Sequence, residues 1–284
     1  MNQTTILAAT GNFFDFETTA GLLNRGFVQQ SLLALALLGL IGGAIGPMIV
    51  ARQMSFAVHG AAELSFTGAA AALLAGVGVN IGGIIGAVVA AATFGFLGNR
   101  ARERDSVIGV VMAFGLGLGV LFLHLHGRVG TGFALLTGQV VSVGASGLTA
   151  VAITSAVVLG VLAVIYRPLQ FASLDPRVAE ASGVPTRTLS VVFAILVGLA
   201  AAQGVQIIGA LLVMSLLITP AAAATRLSAN PTVVLGLSIL FAEIAAVGGL
   251  ILSLAPELPI SVLVTTISFA IYVLCRLFGM RRRD

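Results

Sequence analysis

The sequence predicts an all-α membrane protein, a polytopic bundle of about nine transmembrane helices. Hydrophobic residues make up 58% of the 284 residues and charged residues only 8%, whereas a soluble domain has roughly 25% charged residues. The mean hydropathy is +1.13. The apolar residues form long stretches, and none of them alternates like a strand over about 10 residues, as a membrane β-barrel would require.

Nine apolar stretches are long enough to cross a bilayer, for which a helix needs about 17–25 residues. The second stretch is polar at its start and the sixth is short, so eight helices cross if either one is re-entrant. We predict helices near residues 30–51, 55–77, 79–98, 106–126, 145–166, 188–204, 207–225, 232–254 and 258–276.

Arginine placement orients the predicted bundle, because positive charge marks the cytoplasmic side of a membrane protein. With nine spans, one side receives only Arg25 and Arg128, so the C-terminus is predicted inside and the N-terminus outside. Residues 1–284 are expected to form one domain that ends in a basic cytoplasmic tail, 277–284. The net charge of +4 reflects these loops rather than nucleic-acid binding. The other side carries Arg52, Arg100, Arg102, Arg104, Arg167, Arg177, Arg187, Arg226, Arg276, Arg281, Arg282 and Arg283.

Residues 1–29 are expected to lie outside the membrane or at its outer surface. They lack the basic start of a signal peptide and contain Asp15 and Glu17, so we expect no cleavage. Residues 13–27 place apolar side chains on one helical face, which suggests an interfacial helix; a partly disordered tail is the alternative. That face comprises Phe13, Phe16, Ala20, Leu23 and Phe27.

Glycines four residues apart recur inside the predicted spans. Small residues at this spacing let helix backbones approach closely in lipid, so we interpret them as packing positions. The pairs are Gly39 with Gly43, Gly42 with Gly46, Gly82 with Gly86, and Gly115 with Gly119.

His59 and Glu63 form the most informative ionisable pair, because such side chains are costly in lipid and usually functional. Four residues apart, they share one helical face about 6 Å apart in rise, and counting from Arg52 places Glu63 near the middle of the membrane. Imidazole and carboxylate are both good ligands for zinc or manganese, and a two-fold dimer would supply the pair twice. The residues alone leave two other readings open: a hydrogen bond that merely satisfies both groups, and a proton relay.

Five other polar residues lie within the predicted spans or at their ends. Glu243 is a candidate buried acid that is protonated, paired with another helix or part of a pathway. His124 and His126 end the fourth span on the outer side, where they either capture an arriving cation or are simply solvated. Gln203 and Gln206 are expected to mark an outer turn and cap helices.

The loop 167–187 lies on the predicted cytoplasmic side and contains strong helix boundary signals. Asp175 followed by Pro176 is typical of a helix start, and Gly183 is typical of a helix end. We therefore predict a short helix over 176–182. Such a helix suits docking of a soluble partner, and a plain connector is the alternative.

Residue types that are missing exclude several functions. Without lysine, the chain has no phosphate-loop lysine, so ATP-driven work would need another chain. Cys275 is its one cysteine, which excludes an internal disulfide framework and a thiolate metal cluster. The sequence contains no His-Glu-x-x-His helix and no credible nucleophile–base set, so we expect neither an enzyme nor a permanently bound cofactor.

Four motifs over about residues 30–276 together resemble the ABC-3 family, the permease subunits of zinc and manganese ABC importers. Where that family has Asp followed four residues later by His, this chain has His59 and then Glu63, which keeps one imidazole and one carboxylate in reversed order. The motifs are Arg52-Gln-Met-Ser55, Leu135-Leu-Thr-Gly138, Asp175-x-x-x-Ala179-Glu180-Ala181-Ser-Gly183-Val184, and the run from Ile208 through Pro220 to Ala223.

The resemblance implies a type II importer-like permease homodimer in a bacterial plasma membrane, with two cytoplasmic ABC ATPase subunits and an extracytoplasmic metal-binding protein. It implies that His59 and Glu63 hold the transported ion, zinc first and manganese second. A permease for a metal chelate, siderophore or cobalamin, and a secondary cation transporter that needs no ATP, are the alternatives. The residues implied to dock into the ATPase are Asp175, Ala179, Glu180 and Gly183.

Overall fold

A computed structural model describes residues 16–96, 101–127, 144–209, 213–256 and 258–280. Every regular element in these ranges is an α-helix, which confirms the predicted fold class. The helices are α1 (Phe16–Leu23), α2 (Gly26–Ala51), α3 (Ser55–Leu74), α4 (Val79–Phe96), α5 (Ala101–His126), α6 (Ala145–Leu174), α7 (Pro176–Ala181), α8 (Thr186–Ile208), α9 (Val213–Leu217), α10 (Thr219–Leu227), α11 (Pro231–Leu254) and α12 (Ile260–Met280).

Seven helices in the described part of the chain are long and apolar enough to cross a membrane, namely α2, α3, α5, α6, α8, α11 and α12. Two shorter apolar segments, α4 and α9 with α10, coincide with the third and seventh predicted stretches. The structure therefore has seven full-length spans and two shorter segments where the sequence predicted nine spans.

The stretch predicted as one span over 207–225 is broken, so that prediction is wrong in detail. Helix α8 continues to Ile208, α9 ends at Leu217, and α10 begins at Thr219. Pro220 explains the second break, because proline lacks the N–H that would continue the hydrogen bonds of α9 and its ring clashes with the preceding turn.

Gln203 and Gln206 lie inside α8 and not at an outer turn. Gln203 is fully buried and donates to the Thr154 hydroxyl of α6 at 3.1 Å. Gln206 donates to the Asn80 carbonyl of α4 at 3.3 Å. The turn prediction is wrong because neighbouring helices supply hydrogen-bond partners inside the bundle, so α8 can continue past both residues.

Three other predicted boundaries move. The 13–27 segment is split, because α1 ends at Leu23 and α2 begins at Gly26. Helix α6 continues through Pro168 to Leu174, so the loop predicted over 167–187 is shorter. Helix α12 continues to Met280 and so includes the first residues of the tail predicted over 277–284. Predicted features that lie outside the described residues are Phe13, the motif 135–138, Arg100, Arg128 and Arg281–Arg283.

The four glycine pairs all lie at contacts between helices, as their spacing predicts. The missing side chains let α2 approach α9 and α11 closely, and let α4 and α5 approach α3. The contacts are those of Gly39 and Gly43 with α11, of Gly42 and Gly46 with α9, and of Gly82, Gly86, Gly115 and Gly119 with α3.

Substituting Gly43 tests this packing. A Cβ atom at Gly43 would lie 2.5 Å from the Ile239 Cα atom of α11. Because this neighbour is a backbone atom, relieving the clash requires a shift of one helix. We expect Gly43→Ala to lower the thermal unfolding midpoint of the purified protein, since overpacking costs about 1–3 kcal/mol. Gly160→Ala in α6 is the matched control, because no atom lies within 4 Å of the added Cβ. Equal midpoints for the two variants would contradict the close contact.

Candidate metal site

Helix α3 carries the predicted ligands and is held firmly among its neighbours. It packs against α4, α5 and α8. The position of Gly60 faces Phe94 of α4 and Ile108 of α5, where an added Cβ would lie within 3.0 Å of both side chains. The Thr67 hydroxyl donates to the Gly115 carbonyl of α5 at 2.7 Å. These contacts fix the rotation of α3, and with it the direction of the side chains on its other faces.

His59 and Glu63 lie one turn apart on the same face of α3, as predicted. Glu63 is buried, with 5% of its surface exposed, and His59 is half-buried. The ring of Phe56 lies one turn before the imidazole, with the two ring centroids 6.4 Å apart. The pair thus places one nitrogen ligand and one oxygen ligand side by side within the bundle.

Two atoms of this pair are buried without a hydrogen-bond partner among the described residues. They are Nδ1 of His59 and Oε2 of Glu63. Burying a polar atom without a partner costs free energy, so such atoms are rare unless a ligand or water satisfies them. A divalent cation between an imidazole and a carboxylate would satisfy both. A hydrogen bond between these two atoms, which is one of the alternative readings, is not formed in this structure.

The described part of one chain brings together too few ligands to enclose a metal ion. Within the residues that the structure describes, no group of three or more His, Cys, Asp or Glu side chains comes together. A transition metal such as zinc takes about four ligands. A site built on His59 and Glu63 therefore needs donors besides these two side chains, such as the same pair in a second copy.

The other candidate residues lie apart from this pair. Glu243 is in α11, half-buried, with its carboxylate facing α2 at Gly39. His124 is exposed and His126 half-buried in the last turn of α5. Helix α5 runs parallel to α3, with Gly115 level with Thr67. The rise per residue therefore places His124 about 20 Å farther along the bundle than Glu63. None of these three side chains can complete a site with the pair in the conformation seen here.

The predicted docking helix is α7, and its two ends are built as the sequence suggests. The Asp175 carboxylate accepts hydrogen bonds from the N–H groups of Arg177 and Val178, at 3.0 and 3.1 Å. Gly183 ends the helix with φ at +82°, a conformation that favours glycine. Ala179 of α7 is fully buried, and α7 packs on α6 and α8. The helix is therefore capped at both ends and packed against the two spans that it connects.

Sequence reasoning missed the contacts of Arg52. Its guanidinium donates to the hydroxyls of Ser173 in α6 and Ser190 in α8, which are 121 and 138 residues away in the chain. The sequence marks Arg52 only as a positive charge and the start of a motif. No spacing pattern could have paired it with two serines so distant.

A bundle of membrane-spanning helices with a buried imidazole–carboxylate pair and a capped helix between two spans is the architecture expected of a membrane permease. The chain belongs to the ABC 3 transport family, whose profile matches residues 24–279. The resemblance proposed from the four motifs is thereby confirmed.

Relatives align over most of the chain. The manganese transport system membrane protein MntC of Halalkalibacterium halodurans is 29% identical over 92% of this chain and 90% of its own length. The high-affinity zinc uptake system membrane protein ZnuB of Haemophilus influenzae is 27% identical over 78% of this chain and 86% of its own. The solved structure of PsaBC from Streptococcus pneumoniae in complex with Fab superposes with a TM-score of 0.83 at 22% identity, covering 94% of this chain and 99% of that chain. That likeness establishes the shared fold.

Proposed function

We propose that the chain is the permease subunit of an ATP-binding-cassette importer for a divalent transition metal. The observation that carries this proposal is the buried pair of His59 and Glu63, whose Nδ1 and Oε2 atoms lack partners among the described residues. The resemblance of the sequence placed zinc before manganese. Relatives named for manganese and for zinc transport both align over most of the chain, and MntC aligns over 92% of it. Manganese is therefore the first cargo to test and zinc the second.

The proposed working unit is a homodimer in the bacterial plasma membrane. Each chain contributes nine membrane segments, made up of the seven long helices and the two shorter segments, with the C-terminus in the cytoplasm. Two ABC ATPase subunits bind on the cytoplasmic side, and a metal-binding protein delivers the ion outside. Arginine distribution supports this orientation, because Arg52, Arg177 and Arg226 are at helix ends on one side of the bundle.

The two copies of His59 and Glu63 would meet at the two-fold axis and supply two imidazoles and two carboxylates. Neutral imidazole nitrogen and carboxylate oxygen suit both manganese and zinc. The pair lies about 6–12 Å into α3 from its first residue, so an ion held there is within the membrane. Coordination by only a few ligands is weak enough to release the ion when the site becomes accessible from the other side of the membrane.

Uptake measured in cells tests the proposal. A host lacking its own manganese importers, expressing this permease with its ATPase and binding protein, should accumulate radiolabelled manganese. Excess zinc should inhibit that uptake, because zinc binds the same donors more tightly.

An ATPase without its phosphate-loop lysine should abolish uptake. Uptake that persists with this inactive ATPase would favour a secondary cation transporter, and uptake of a chelated metal alone would favour a chelate permease.

The docking helix gives a second prediction. Replacing Asp175 by alanine removes the carboxylate that caps α7, which costs about 1 kcal/mol in a helix of only six residues. We expect Asp175→Ala to lower the initial rate of ATP-dependent uptake several-fold. Asp175→Asn is the matched control, because asparagine caps helices equally well. Equal rates for the two variants would show that the cap does not matter for docking.

A further inference from the structure

Arg52 joins three parts of the chain at one end of the bundle. Its guanidinium donates through Nη1 to the Ser173 hydroxyl of α6 at 3.2 Å, and through Nη2 to the Ser190 hydroxyl of α8. The Ser173 hydroxyl donates its own proton to the Leu169 carbonyl at 2.6 Å, and the Ser190 hydroxyl donates to the Thr186 carbonyl at 2.8 Å. Because both serine protons are used within their own helices, both oxygens act as acceptors toward Arg52.

The two serines stand on either side of α7. Ser173 lies in the last turn of α6, two residues before the capping residue Asp175, and Ser190 lies near the start of α8. We call residues 169–190 the docking hairpin, since they comprise the end of α6, all of α7 and the start of α8. One arginine side chain therefore holds both arms of the docking hairpin.

Arg52 lies in the turn that joins α2 to α3. The turn after α2 is closed by two hydrogen bonds, from the Gln53 N–H to the Val50 carbonyl at 3.2 Å and from the Met54 N–H to the Ile49 carbonyl at 2.9 Å. Gln53 takes a φ of +54°, which side chains other than glycine rarely adopt, so this turn has a defined and unusual shape. Helix α3 begins directly after Met54. A force on the guanidinium therefore acts on the short turn from which α3 starts.

The α6 arm of the docking hairpin has room to move. Pro168 lies inside α6 and lacks the N–H that would bond within the helix, which weakens α6 just before Ser173. A cavity of about 280 Å³ borders the same region, between α2, α6 and the start of α11, and is lined in part by Tyr166, Gln170 and Ser173. A weak point beside free volume permits displacement of this arm without breaking the bundle.

We propose that Arg52 is the positioning residue that transmits movement of the docking hairpin to α3, and so to His59 and Glu63. The inference rests on the proposed function, in which the hairpin contacts an ATPase and the pair holds a metal ion. When the ATPase shifts the hairpin, Ser173 and Ser190 move and carry the guanidinium with them. Helix α3 then turns or tilts as a rigid body, which changes the distance between the two copies of the ligand pair.

The test reconstitutes the permease with its ATPase and binding protein in liposomes and measures ATP hydrolysis and manganese entry together. We expect Arg52→Ala to lower the manganese moved per ATP about tenfold, which lies within the usual range of coupling effects, while ATP hydrolysis stays near the wild-type rate. Arg52→Lys should recover part of the ratio, because an ammonium group can still donate to one serine. The double variant Ser173→Ala with Ser190→Ala should reproduce the loss with the arginine intact.

Arg226→Ala is the matched control, since Arg226 is an exposed arginine at the end of α10 and should leave the ratio unchanged. If Arg52→Ala or the double serine variant moved as much manganese per ATP as the wild type, the role of Arg52 would be overturned, whereas the proposed function would stand. If all Arg52 and serine variants lost ATP hydrolysis and manganese entry together, the contacts of Arg52 with the two serines would have only a structural role. That result would also overturn the inference. A wild-type complex that hydrolyses ATP without moving any metal would instead refute the proposed function.

Discussion

Replacing both His59 and Glu63 by alanine is expected to reduce manganese or zinc uptake to the background of cells without the permease. The double variant removes both ligands that the chain is proposed to supply, so the proposed dimer would have none left at its axis. A loss of about 100-fold or more is expected, which is at least as large as the 10–100-fold cost of losing an outer-shell partner of a metal. Initial uptake of radiolabelled metal, normalised to permease in the membrane, gives the measurement.

Two controls separate ligand loss from damage to the fold. Thr93→Ala removes an exposed hydroxyl that bonds only to the Val89 carbonyl of its own helix, and uptake should be unchanged. His59→Asp combined with Glu63→His restores the family order of carboxylate and imidazole, and uptake should be largely retained. Wild-type uptake by the double alanine variant would remove the site assignment, provided that the variant is present at normal levels.

Replacing Ala179 by leucine is expected to give the second large effect, a loss of at least about tenfold in ATP-dependent uptake. Ala179 is fully buried where α7 rests on α6 and α8. A larger side chain there forces α7 off its support at a cost of about 1–3 kcal/mol, which displaces the surface that the ATPase is proposed to bind. Uptake and co-purification of the ATPase should fall together.

Ala163→Leu supplies the matched control for this substitution. Ala163 is exposed on α6, so the same added volume meets no packed surface and both readouts should stay normal. If Ala179→Leu retained full uptake and bound the ATPase normally, α7 would be a plain connector, as the alternative reading of the sequence allows.

The sequence predicted the helical bundle well because lipid imposes a simple rule. Each span must form its backbone hydrogen bonds within its own helix and present apolar side chains to the lipid. Seven long helices could therefore be recognised from composition alone. The boundaries were less accurate where proline acts differently by position. Pro168 lies within α6 and the helix continues past it, whereas Pro220 lies where α9 has ended and α10 begins. Local sequence does not distinguish these two cases, since neighbouring helices decide whether a broken hydrogen bond is tolerated.

The one-turn spacing of His59 and Glu63 and the short helix α7 were predictable because their signals are local. His59 and Glu63 are one helical turn apart, and Asp175 with Pro176 begins a helix in the sequence itself. The contacts of Arg52 with Ser173 and Ser190 were not predictable, because they depend on how α2, α6 and α8 converge. The buried partnership of Gln203 with Thr154 escaped prediction for the same reason.

Metal content of the purified dimer tests most directly whether two chains share one cation. Manganese bound per chain can be counted by mass spectrometry, and X-ray absorption at the manganese edge shows whether imidazole nitrogen is in its coordination shell. The account predicts one ion for every two chains, imidazole in that shell, and loss of both signals on replacing His59 and Glu63 by alanine. One ion bound by each chain separately, or a shell without imidazole that survives the double substitution, would contradict it.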